Sequence, residues 1–151
     1  PLSEYAPCTP KGIMNYLNAI NYDFVGKNAL VIGRSNIVGK PLASLLLKAN
    51  CNVTIVHSKT KKEDMKRYIE NSDLICIAIG KTHFLDESYS YKENAVIIDV
   101  GINRTESGLL GDAKAGLNVA LQTPVPGGVG LLTRLALLEN LLLIKEKNDG
   151  I

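Results

Sequence analysis

The sequence predicts an α/β protein: a doubly wound parallel sheet with helices on both faces. Short apolar runs alternate with segments of helical periodicity, which is the pattern of βαβ units. Two of the runs, residues 74–79 and 95–100, show almost no polar alternation, as expected of strands covered on both faces. Three of them run into glycine, at Gly33, Gly80 and Gly101. The carboxyl ends of strands are where such sheets hold their ligands.

The elements follow in order. Thr9 caps a helix that opens at Pro10, and Ile13, Leu17, Ile20 and Phe24 recur at helical spacing. Gly26-Lys27-Asn28 interrupts it. Residues 29–32 form a buried strand ending at Gly33, and a helix follows over 41–48, with Leu42, Leu45 and Leu46 on one side. Residues 53–56 are the second strand, followed by a polar helix over 62–69. The runs at 74–79 and 95–100 come next, then a short strand at 119–122. The closing helix covers 130–147. The segment 105–117, with glycines at 108, 111 and 116, reads as a loop crossing the surface.

Composition sets bounds on function. A chain of 151 residues with 46% apolar and 21% charged residues makes one domain with a real core, and residues 1–151 are read as that domain. A net charge of +2 gives no footprint for nucleic acid. Lys59, Lys61, Lys62, Lys66 and Arg67 cluster, but Glu63, Asp64 and Glu70 are interleaved with them, as on a solvated helix face. No apolar run approaches the roughly 18 residues of a membrane helix, and the start carries no signal-peptide pattern. Cys8, Cys51 and Cys76 are odd in number and contain no CxxC pair. A cytoplasmic protein is expected.

The segment Gly33-Arg34-Ser35-Asn36-Ile37-Val38-Gly39 joins a strand to a helix. Gly33 permits the tight turn, Gly39 lets the helix approach the sheet, and free amides at the helix start face anionic phosphate. The spacing departs from G-x-G-x-x-G, and an ordinary strand–helix turn is the alternative. In NAD enzymes an acid near the end of the second strand binds the ribose 2′-hydroxyl. Here that strand ends His57-Ser58-Lys59-Thr60, with no carboxylate. Ser58 can donate to a 2′-phosphate, and Arg34 can grip it with a bidentate fork, so NADP is read in preference to NAD. Each residue has a structural alternative: a surface arginine, a turn serine, and for His57 simple packing at a strand end. Gly80 and Gly101 would let backbone approach the adenosine and nicotinamide ends, with main-chain groups of 100–102 offered to the carboxamide. Asp99 is either a catalytic acid or a structural strand-end residue.

Thr123-Pro124-Val125-Pro126-Gly127-Gly128-Val129-Gly130 is stiffened by prolines and stripped of side chains just before a helix. Such a segment presents backbone to a flat ligand, or is merely a rigid loop. With it, the chain closely resembles the C-terminal, Rossmann-like part of the bifunctional methylenetetrahydrofolate dehydrogenase/methenyltetrahydrofolate cyclohydrolase family. The matching pieces run in the family's order: residues 7–12, Gly33-Arg34-Ser35 with 38–41, 57–60, 96–101, Gly111-Asp112 and 123–130. The resemblance implies NADP contacts at Gly33, Arg34, Ser35, Ser58 and Ile102. It places Pro126, Gly127, Gly128 and Gly130 near a tetrahydrofolate derivative. It also implies oxidation of methylenetetrahydrofolate with NADP and hydrolysis of the methenyl product to formyltetrahydrofolate. Leu131 and Ala113 depart from the family's usual proline and valine.

The family's catalytic lysine lies in a Tyr-x-x-x-Lys motif of a preceding domain. None of the tyrosines here (Tyr5, Tyr16, Tyr22, Tyr68, Tyr89, Tyr91) has lysine four residues later, and the family's folate-binding Asp-Val-Asp-Gly segment is not found. The chain opens Pro-Leu-Ser, without Met. The expectation is a cofactor domain whose N-terminal catalytic domain lies elsewhere, in an enzyme that is a homodimer at full length. A stand-alone NADP-binding module is the alternative. The leucine-rich closing helix, and Met14, Tyr16 and Tyr22 outside the main stripe of the first helix, are read as surfaces for that missing domain or a second subunit.

Overall fold

Strand residues alternate between two layers, and the sequence fills both with apolar side chains. In the computed structural model, which describes residues 9–125, the first strand β1 spans Asn28–Ile32. Its Ala29 and Val31 face one core with Ile13, Leu17, Leu42 and Leu46. Its Leu30 and Ile32 face a second core with Met65, Ile69, Ile75 and Ile77. A strand flanked by helices on both sides has no solvent face, hence its continuous apolar run.

The remaining elements are α1 (Pro10–Ala19), α2 (Gly39–Lys48), β2 (Asn52–Val56), α3 (Lys62–Glu70), β3 (Leu74–Ile77), β4 (Val96–Asp99), β5 (Asn103–Thr105), β6 (Gly108–Leu110) and β7 (Leu121–Gln122). Five strands form one sheet in the order β2-β1-β3-β4-β7, and every pairing is parallel. The chain moves from β1 to β2 on one side, then crosses to β3 on the other. That reversal opens a crevice at the carboxyl ends of β1 and β3, the position where doubly wound sheets bind ligands. Helices α1 and α2 cover one face and α3 the other.

Local chemistry accounts for the boundaries. Thr9 accepts from the Gly12 amide at 3.0 Å, capping α1. The helix stops at Ala19 rather than continuing to Phe24, because Asn21 adopts a left-handed φ of 59°. Phe24 still reaches the core from the following turn, edge-on to Tyr22. Helix α2 begins at Gly39, two residues before Pro41; proline is tolerated there because a first-turn amide has no helical acceptor. Strand β3 ends at Ile77 instead of 79, since the Ile79 and Gly80 amides turn to a side chain described below.

The segment expected to be a plain surface loop contains an antiparallel hairpin, β5–β6, outside the main sheet. Its polar strand Asn103-Arg104-Thr105 lacks an apolar signal. Its turn closes through Thr105 and Gly108, whose φ is 102°. Met14, Tyr16 and Tyr22 are half-buried, each packed against the core beneath α1 and α2. The closing helix and Pro126, Gly127, Gly128 and Gly130 lie outside the described residues.

Candidate functional site

Parallel pairing puts the ends of β1, β2, β3 and β4 on one edge, and that brings most of the predicted residues together. The Gly33–Gly39 loop follows β1. Register Ile32↔Val56 sets His57 and Ser58 beside it, and Ile32↔Ile77 sets the approach to Gly80 on its other side. Gly101 and Ile102 follow β4, in register with β3 through Ile77↔Asp99.

The loop after β1 is close-packed. Gly33 has a φ of 131°, and a Cβ there would lie 2.5 Å from the Ala78 carbonyl oxygen. A Cβ on Gly39 would collide with the Gly33 carbonyl. The Gly33 amide donates to the Val56 carbonyl at 2.8 Å, tying the loop to the end of β2. Ser35 then organises the start of α2: its Oγ accepts from the Val38 and Gly39 amides at 3.1 and 3.3 Å. With its lone pairs used this way, its proton is free for an anionic acceptor. Arg34, Ser35 and Asn36 are exposed, and Arg34 forms no ion pair among the described residues.

The turn after β2 closes on itself. The His57 amide donates to Thr60 Oγ1 at 3.0 Å, and the Lys59 amide to His57 Nδ1 at 3.2 Å. This leaves Ser58 exposed at the apex. A cleft of 190 Å³ opens beside it, lined by His57, Ser58, Thr60, Lys62, Ile79 and Lys81, with Phe84 and Tyr89 as an aromatic wall. Lys62 was read from sequence only as part of a solvated helix face and Tyr89 only as a tyrosine without a lysine four residues on, while Lys81 and Phe84 were not singled out. Lys81 follows a strand-end glycine, the one signal available; the two rings come from an irregular segment without periodicity.

Asp99 proves structural. It is buried, and its carboxylate accepts from the amides of Gly101 (2.9 Å), Asp112 (3.1 Å) and Ala113 (2.8 Å). Desolvation holds its carboxyl above the usual range and the nearby Asp112 charge adds to this, against the pull of those amides. Asp112, unnoticed as a side chain from sequence, is fully buried. It accepts from the Ile79 and Gly80 amides at 2.9 and 3.0 Å and from the Asn103 side chain at 2.9 Å. Gly101 lacks a side chain for an internal reason: a Cβ would overlap the Asp112 carboxylate. Gly80 has open space around it and a φ of 70°. Ile102 stands 53% exposed, an apolar side chain available to a ligand.

Among the described residues there is no cluster of metal-ligating side chains and no helix long and apolar enough to cross a membrane. What the edge offers is a glycine loop at a helix start, basic and hydroxyl side chains, and a cleft with an aromatic wall. Together with the strand order, these define a dinucleotide-binding domain of the Rossmann type.

Comparisons with known proteins narrow the class. The family model for the tetrahydrofolate dehydrogenase/cyclohydrolase NAD(P)-binding domain matches residues 7–149, and the chain belongs to that family. The bifunctional protein FolD of Clostridium beijerinckii is 44% identical over 149 residues, covering 97% of this chain and 52% of that protein. FolD of Campylobacter hominis is 51% identical over 144 residues, covering 92% and 49%. Among solved structures, the FolD methylenetetrahydrofolate dehydrogenase/cyclohydrolase of Campylobacter jejuni aligns with a TM-score of 0.78 at 43% identity, over 96% of this chain and 51% of that one. The Trypanosoma brucei FolD, complexed with NADP cofactor and inhibitor, aligns at 0.75 and 34%, over 94% and 51%. The chain thus spans about half the length of the relatives it matches.

Proposed function

We propose that this chain binds NADP across the carboxyl edge of its sheet, as the cofactor domain of a folate one-carbon enzyme. In this reading Gly33, Gly39 and Ser35 shape the pyrophosphate cradle. Arg34 and Ser58 take the 2′-phosphate. His57 and Gly80 border the adenosine, and Gly101 and Ile102 border the nicotinamide. Pro126, Gly127, Gly128 and Gly130 meet the tetrahydrofolate derivative. When bound, NADP supplies the hydride acceptor; this chain supplies position and electrostatics.

The observation that carries the NADP assignment is the end of β2. It presents an exposed serine where a ribose-binding acid would stand in an NAD site, across from an arginine that forms no ion pair among the described residues. The neighbouring cleft carries two lysines and no carboxylate. The T. brucei neighbour complexed with NADP supports the same reading.

The whole enzyme, in this proposal, oxidises methylenetetrahydrofolate to methenyltetrahydrofolate and hydrolyses it to formyltetrahydrofolate. It acts in the cytoplasm as a homodimer. Its acid–base lysine and tyrosine come from a domain outside this chain, consistent with relatives about twice as long. Separate calorimetric titrations of NADP and NAD test the cofactor assignment. NADP should bind at least about tenfold more tightly, the worth of one charge-assisted contact to the 2′-phosphate. Equal affinities would overturn it.

A further inference from the structure

Three loops meet at one buried carboxylate. Asp112 comes from the segment after β6, yet it accepts from Ile79 and Gly80 after β3 and from Asn103 after β4. The main chain of its own segment is pinned on both sides. The His83 amide donates to the Gly111 carbonyl, the Leu85 amide to the Asp112 carbonyl, and the Lys114 amide to the Leu85 carbonyl. Asp99 holds the Asp112 and Ala113 amides from the end of β4. No cation pairs with either carboxylate among the described residues; every donor to them is an amide.

This arrangement costs more than a simple loop tie needs. Two carboxylates are buried close together, with the Asp112 charge disfavouring that of Asp99, and an apolar contact would join loops without that desolvation. What a carboxylate adds is geometry. One oxygen fixes two successive amides, Ile79 and Gly80, and the other fixes Asn103. Ile79 lines the cleft next to Ser58, and Asn103 follows the exposed Ile102 in the chain.

We propose that Asp112 is a positioning residue for the dinucleotide, holding the loop after β3 and the loop after β4 at a fixed separation. Resting on the NADP reading above, it couples the adenosine half of the site to the nicotinamide half without touching the ligand. Asn103 is the link to the nicotinamide side alone.

The test is calorimetry on the full chain with two probes, NADP and adenosine 2′,5′-bisphosphate, which carries only the adenosine half. Asn103→Ala should weaken NADP about fivefold, the worth of one ordinary hydrogen bond, while the bisphosphate binds within about twofold of the parent. Asp112→Ala should weaken NADP at least about tenfold and weaken the bisphosphate as well. Asp112→Asn should recover most of both, since its oxygen can serve Ile79 and Gly80 while its amide faces a flipped Asn103. A purely structural role predicts lower melting temperatures with ligand affinities unchanged at a temperature where the variants are folded. NADP binding unchanged in both alanine variants would overturn the proposal, and if Asp112→Ala fails to fold, unchanged binding in Asn103→Ala overturns it alone. A parent chain that takes no NADP would defeat the cofactor reading itself, a different result from a parent that binds and variants that bind equally.

Discussion

At the amino edge of the sheet Asp73 meets a cation; at the carboxyl edge Asp99 and Asp112 meet only amides. Asp73 lies just before β3. It accepts from the Asn28 amide at 2.8 Å, from Lys92 Nζ at 3.0 Å and from Asn94 at 3.1 Å. Its main chain joins β1 and β4, accepting from Val96 and donating to Asn28. Burial pushes its carboxyl up, but the Asn28 amide, Asn94 and Lys92 outweigh that and bring it down to about 2. The amino edge is therefore a closed, neutralised seam. The carboxyl edge keeps its buried charges inside the loops and its cations, Arg34, Lys62 and Lys81, toward solvent. One edge ties strands together; the other ties loops together.

Substitutions can break this contrast, and the largest effect falls at the junction of β1 and β3. Gly33→Val forces a side chain into a left-handed backbone and against the Ala78 carbonyl. It should cost about 3 kcal/mol or more by urea unfolding and abolish NADP binding. Arg34→Ala leaves the fold intact and removes the proposed phosphate fork. NADP affinity should drop about 10–100-fold while NAD affinity stays put; a parallel drop for NAD would remove the contrast in purpose.

Asp73→Asn probes the closed edge. A carboxylate held below its unfolded pKa stabilises the fold above pH 4 or so, and that contribution drains away as pH falls toward 2. The variant should lose roughly 1–2 kcal/mol at pH 7, discounted for solvent screening, and show a flatter stability profile between about pH 4 and 2. NADP binding should not change. An unaltered acid limb would show that the seam's charge is not what holds it. Asp99 has the opposite sign: its raised folded pKa favours the fold at low pH and loses that advantage as pH rises. The smallest effect is at Ser35→Ala, which leaves the Val38 and Gly39 amides without their cap and should cost about 1 kcal/mol, read as a melting shift.

The two edges also differ in how far they could be read in advance. Strands β1, β3 and β4 announced themselves because burial on both faces leaves an apolar run without polar alternation. The site loops announced themselves through glycine at strand ends, and Gly33 is required for the stated reason, a tight turn. Gly101 was read as letting backbone approach a ligand; the structure adds that a side chain there would meet Asp112. That residue was visible only as part of a Gly-Asp pair; its partners lie 9 and 32–33 positions away, a distance over which no local pattern operates. The β5–β6 hairpin escaped for a related reason, being two three-residue strands, the first of them polar, held by their own turn. Asp73 was passed over too, because a lone acid before a strand looks like any loop residue until Lys92 and Asn94 are brought to it.

The strand order has a consequence for the birth of the chain. β1 is made first of the five but sits between β2 and β3, and its Ile32 pairs with Ile77, 45 residues later. At ribosomal rates of about 5–20 residues per second, an apolar strand waits roughly 2–9 s for its second neighbour. During that interval one side of β1 is an open template for any other nascent strand. Until β3 arrives, the position of β1 makes this apolar strand the raw edge of a two-stranded sheet, the kind of edge that invites wrong pairing.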